Sequence, residues 1–174
     1  MVQPHPEVSA IFRQTYALDW LDHVTESNSV LSAILAVIHL TLHKSGWETF
    51  NRLRQCAKIQ PENVLHQWTS VFNGVAVIIN CTMPAHQDSN TRKQWYNLLV
   101  TLGSYWNCNL NLLGMGVSFK YGPDTVVGLL GVTLEHEVPR FEGERVCYAF
   151  FMRDNVHEWA GVSGYNWMAT EYYD

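Results

Sequence analysis

The chain has 174 residues, of which 47% are hydrophobic and 13% aromatic, and its formal net charge is −5. That length supports one domain with a proper core and leaves too little for two, and the composition excludes disordered and fibrous classes. An acidic chain also lacks the overall charge for tight non-specific capture of nucleic acid, so any such role must rest on a local basic patch or on transient binding.

In chain order, Met1 to Pro6 shows no basic stretch leading into an apolar core, so no secretory signal is read there. Ser27-Asn28-Ser29 offers an N-cap for a buried helix from Val30 to about His43, with Gly46 suited to a stop or bend. The apolar stretch Val30 to Leu42 is too short to span a bilayer. A second helical segment runs from Glu48 to Ala57 and a third opens at Pro61-Glu62, continuing through Val64, Leu65 and Trp68. Arg52, Arg54 and Lys58 on the second segment read as a solvated surface in preference to a DNA face.

Near residue 73 the pattern changes to strands: Val75 to Ile79, Trp95 to Tyr105, Leu110 to Tyr121, Thr125 to Val138 and Arg145 to Met152. Turn residues at Asn107, Gly122-Pro123-Asp124 and Glu142-Gly143 separate them, and Gly114-Met115-Gly116 marks a barrel corner. Strands in succession after a helical block predict an α+β domain with an antiparallel barrel or jelly roll. The expectation is a single domain over residues 1–174: a helical part to residue 72, a strand core over 73–160, and a tail over 161–174 that packs as a closing segment. Cys56, Cys81, Cys108 and Cys147 form no CxxC pair, which predicts reduced thiols in a nuclear or cytoplasmic protein.

His86 and Asp88 stand two residues apart on what reads as extended chain, so both point to one face and reach one metal ion. His136 supplies a third ligand from a distant strand. Two imidazoles and a carboxylate on one face leave coordination positions open, the facial triad of non-haem Fe(II) oxygenases. Arg145 follows on the next strand, where a planar guanidinium can grip the far carboxylate of a dicarboxylic keto acid through two parallel hydrogen bonds. Separately, each has a plain structural reading: His136 a hydrogen-bonded strand histidine, Arg145 a surface partner of Glu142 or Glu144. Their joint order is what points to chemistry. Arg92-Lys93 beside Trp95-Tyr96 suits either a phosphate and base contact at a pocket mouth or an ordinary solvated turn with Trp95 in the core.

At Cys81-Thr82-Met83-Pro84-Ala85-His86-Gln87-Asp88, at Leu134-Glu135-His136-Glu137-Val138-Pro139 and from Glu144-Arg145 to Phe151, the sequence resembles the TET/JBP dioxygenases, in particular the compact fungal branch. The resemblance covers roughly residues 73 to 160. It implies a double-stranded β-helix with N-terminal helices packed outside the barrel, and a reaction using Fe(II), 2-oxoglutarate and O₂. It carries over His86, Asp88 and His136 as iron ligands and Arg145 as the co-substrate anchor. Asn90 or Thr91, together with Arg153 or His157, fall where the family contacts the target base. The implied substrate is 5-methylcytosine in DNA, flipped out of the duplex to reach the iron. Removal of an N-methyl group such as that of N6-methyladenine, hydroxylation of a protein or small molecule, and a barrel that binds without turnover are the competing readings.

Overall fold

In the computed structural model, residues 6–55, 62–169 and 171 are described. Five α-helices are present: α1 Thr15–His23, α2 Thr25–Ile38, α3 Leu40–Gln55, α4 Glu62–Gln67 and α5 Asp154–Trp159. In α3 the buried positions are Leu42, Ser45, Gly46, Thr49, Phe50 and Leu53, one stripe at helical spacing. Small side chains in the middle of that stripe let another helix approach closely. α5 packs there, and its His157 imidazole shares hydrogen bonds with the Ser45 and Thr49 hydroxyls, both at 3.1 Å.

The helix expected from Val30 to His43 breaks earlier and the next one is longer. His39 adopts φ −156°, ψ 77°, and its Nδ1 accepts the Leu42 N–H at 3.2 Å, capping α3. Gly46 sits inside α3 and not at its end. The expected cap stretch lies inside α2, where Ser29 bonds back to the Thr25 carbonyl, as Ser32 does to the Asn28 carbonyl. Arg52 pairs with Glu48 and donates to the Ala160 and Gly161 carbonyls, while Arg54 donates to the Leu65 and Trp68 carbonyls. These two arginines tie helical segments together; Lys58 lies outside the described residues.

The strands are β1 Gly74–Ile79, β2 Met83–His86, β3 Asn97–Trp106, β4 Asn109–Leu112, β5 Val117–Lys120, β6 Thr125–Leu129, β7 His136–Val138 and β8 Glu142–Phe151. They form two antiparallel sheets, ordered β1-β8-β3-β6 and β2-β7-β4-β5. First strand pairs with last, second with second-last, and so on inward to the β4–β5 hairpin. Every other connection passes from one sheet to the other. The strand region is therefore one long hairpin rolled up, a jelly roll, and the α+β expectation holds.

Tyr105, Leu110, Leu112, Tyr121, Leu129 and Val138, drawn from both sheets, form its core. The run from Leu110 to Tyr121 is two strands, turned by Leu113–Met115 with Gly116 in the left-handed region at φ 64°. The run from Thr125 to Val138 is also two, because the Thr133 and Leu134 N–H groups both bond back to the Leu130 carbonyl and reverse the chain. Glu142-Gly143 lies within β8 and not in a turn. Gly74–Arg153 forms one compact unit, and Met1–Asn73 with Asp154–Asp174 forms the other. No described helix is long and apolar enough to cross a membrane.

Candidate active site

Antiparallel pairing of β2 with β7 sets His86 directly opposite His136. Cross-strand partners share a face, and the two rings lie 4.3 Å apart at 49°. Asp88 follows just past the end of β2, where its N–H donates to the Gly131 carbonyl at 2.9 Å. The three residues each offer a ligand atom, all within 4.8 Å of one another.

Each imidazole is oriented locally. His86 Nδ1 lies 2.8 Å from the Pro84 carbonyl, and His136 Nδ1 lies 2.9 Å from the Leu134 carbonyl. A ring nitrogen facing a carbonyl must carry the proton, which leaves Nε2 of both rings with its lone pair for a metal. The Asp88 carboxylate is held on its Oδ2 side. Asn97 Nδ2 donates to Oδ2 at 2.7 Å, and a Cβ added to Gly131 would stand 1.9 Å from the same oxygen. Oδ1 faces His86, 3.6 Å from its Nε2.

Arg145 is 1% exposed, and its Nε, Nη1 and Nη2 have no hydrogen-bond partner among the described residues. Its guanidinium carbon sits over three rings: Tyr121 at 5.1 Å, Phe141 at 5.6 Å and Tyr105 at 5.9 Å. Burial pushes the Tyr121 phenol and the Cys147 thiol up, so neither supplies a counter-charge. A buried cation surrounded by neutral groups is poised for an anionic ligand. The Arg145 backbone is fixed by Asn80, at φ 51°. The Asn80 N–H donates to the Arg145 carbonyl at 2.9 Å, and its side-chain oxygen accepts the Arg145 N–H at 2.7 Å.

Asp88, His136 and Arg145 line one cavity of about 340 Å³, within the range of small-molecule sites. Alternate β8 residues Cys147, Ala149 and Phe151 continue its wall, flanked in the same sheet by Ala76 and Ile78 of β1 and Leu99 of β3. Two imidazoles with free Nε2, one carboxylate oxygen and an unpaired buried guanidinium fit Fe(II) and a dicarboxylic keto acid.

The family model for the oxygenase domain of the 2OGFeDO superfamily, TET/JBP type, matches residues 10–154. The chain belongs to the TET/JBP family. It is an Fe(II)- and 2-oxoglutarate-dependent dioxygenase, using iron, 2-oxoglutarate and O₂. No curated protein matches the chain.

Within this TET/JBP site, Asn90, Thr91 and Arg153 all line the cavity. Asn90 is in the left-handed region at φ 64°, and the Thr91 hydroxyl is buried without a partner. Arg153 is exposed and sits 5.2 Å over the Phe151 ring. His157 is not among the lining residues. It is fully buried in α5, its imidazole sharing hydrogen bonds with the α3 hydroxyls. Trp95 is likewise 1% exposed, and Arg92 lies 5.4 Å over it, which makes that aromatic core. Asn97, Gly131 and Asn80 were not singled out from the sequence, although an isolated glycine among apolar residues is a recognised sign of close backbone approach.

Proposed function

We propose that this TET/JBP enzyme oxidises the methyl group of 5-methylcytosine in DNA, with His86, Asp88 and His136 holding the iron and Arg145 the far carboxylate of 2-oxoglutarate. The observation that carries the proposal is the buried Arg145 guanidinium, unpaired, on the same cavity wall as Asp88 and His136. A structural arginine would be paired. Fe(II), 2-oxoglutarate and O₂ together supply the oxidising power for hydroxylation of a C–H bond, releasing succinate and CO₂. The chain's own work is orientation: Pro84 and Leu134 carbonyls aim the imidazoles, Asn80 fixes the Arg145 backbone, and Leu99, Leu110 and Val138 give the cavity an apolar wall.

The acidity of the chain lies outside the unit that bears the cavity, so it does not oppose a nucleic-acid substrate there. Gly74–Arg153 holds six basic and six acidic residues, whereas the remainder holds five and ten. The unit bearing the cavity is therefore neutral. Arg153 on the cavity wall, with Arg92 and Lys93 following Thr91, offers cations for phosphates. Thr91 and Asn90 offer polar groups for a base turned out of the stack. We also read all 174 residues as one dioxygenase domain, because the family match runs across both compact units.

The test is anaerobic loading with Fe(II) and 2-oxoglutarate, admission of air, and mass spectrometry of nucleosides from duplexes carrying 5-methylcytosine or N6-methyladenine, with succinate measured in parallel. Oxidised 5-methylcytosine is the expected product. Loss of N6-methyladenine alone moves the substrate and keeps the cofactors. Succinate with neither base product points to a protein or small-molecule target.

A further inference from the structure

We propose that Asn97 is a positioning residue for the metal centre: its amide restrains Asp88 to offer one carboxylate oxygen, Oδ1, and withholds the other. This rests on the reading of Asp88 as an iron ligand. Asn97 opens β3, is 6% exposed, and comes from the sheet opposite to the one carrying His86 and His136. Its Nδ2 donates to Asp88 Oδ2 at 2.7 Å. The amide can face Asp88 only this way, since the reverse flip would set oxygen against carboxylate oxygen. Gly131 closes the same oxygen from another side, its missing side chain being the space Oδ2 occupies.

Two features separate this from ordinary core packing. Asp88 is itself about 30% exposed, so its charge keeps access to water and does not need a buried amide to be tolerated. Asn97 also leaves its own Oδ1 buried with no partner among the described residues, a polar group that costs the fold when unsatisfied. A side chain retained at such a cost acts through what it holds. The effect is on the metal: a carboxylate tied at one oxygen occupies one position, which leaves the remainder for a bidentate keto acid and O₂.

The experiment is anaerobic calorimetric titration of Fe(II) into wild type, Asn97→Leu, Asn97→Ala and the ligand control His86→Ala, alongside thermal melts of the metal-free proteins. Loss of an outer partner of this kind weakens metal binding by about 10–100-fold, and that is expected for both Asn97 variants with little change in their metal-free melting. Fe(II) binding within about twofold of wild type in a folded variant overturns the inference, and unfolding of both variants overturns it in favour of a purely structural amide. If wild type takes up no iron, or His86→Ala keeps it, the ligand assignment itself fails, which is a separate result. Coordination number is the second readout: X-ray absorption of the Fe(II) protein should show an added oxygen neighbour in Asn97→Ala, because Asp88 is then free to bind through both oxygens.

Discussion

Replacing Arg145 by methionine should stabilise the protein without ligand and disable it with ligand. Burying an ion costs several kcal/mol even after relaxation. Against this, Tyr105, Tyr121 and Phe141 surround the guanidinium at 5.1 to 5.9 Å, and each desolvated cation–ring contact returns about 0.5–2 kcal/mol. Among the described residues, the three nitrogens have no hydrogen-bond partner to add to that return. The balance leaves a net burden of about 1–3 kcal/mol. Methionine fills similar space, and its thioether packs well against the same rings. At about 2–4 °C per kcal/mol for a chain of this size, melting should rise by roughly 2–12 °C. Adding 2-oxoglutarate with Fe(II) under nitrogen should reverse the order. Wild type then gains about 2.7 kcal/mol at a hundredfold excess over its dissociation constant, and the variant gains only what the metal supplies. Differential scanning fluorimetry in both conditions reads the crossover. A variant that melts below wild type without ligand would show that Arg145 is structurally paired, and the argument for its waiting role would fall.

Two further outcomes follow from the geometry. Gly131→Ala brings a methyl group to 1.9 Å from Asp88 Oδ2 and 2.8 Å from its Cγ, so the carboxylate must move by more than about 1 Å, well outside the tolerance of about 0.2 Å for a metal ligand. Fe(II) affinity measured by calorimetry should fall at least as far as in the Asn97 variants; affinity within about twofold of wild type would mean Asp88 is not held as described. Stability should also decline in acid through His39, where burial lowers the imidazole pKa below 6.5 and backbone hydrogen bonds only partly oppose it. The unfolded chain takes up that proton first, so the contribution is complete above about pH 6.5 and is lost below it, by at most about 1.4 kcal/mol per pH unit. His39→Asn keeps a capping side chain and should narrow the difference between melting temperatures at about pH 5.5 and 7.5; an unchanged difference would assign the acid sensitivity to other groups.

The grouping of His86, Asp88, His136 and Arg145 could be anticipated from the sequence because residue type and strand order carry it. An HxD on extended chain presents one face, and a later histidine and arginine on successive strands have few other ways to meet it. The residues that hold these four were not legible. Asn97 reads as an ordinary position within the strand Trp95 to Tyr105 and Asn80 as a residue at a strand end, and their hydrogen bonds depend on neighbours far away in the chain. The division of Thr125 to Val138 was hidden for a different reason: Leu129-Leu130-Gly131-Val132 is apolar and offers a single glycine where a turn cluster was sought. The helical part went astray at His39, since a histidine cap carries none of the usual serine, threonine or aspartate signal. His157 falls in α5, which opens at Asp154 just past β8, a helix start that the strand pattern does not announce.

The rolled hairpin also sets the order in which the site can come into being. β2 meets β7, and β1 meets β8, only after the intervening strands have been laid down, so these ladders close large loops and belong to the slow part of folding. During synthesis, His86 and Asp88 leave the ribosome well before His136 and Arg145 exist to complete the cluster. An ion met at that stage finds two ligands on an unpaired strand. With the proposed ligands, iron loading would be a late event, and the ion once in place would act as a rivet between the outgoing and returning arms of the hairpin, slowing their separation.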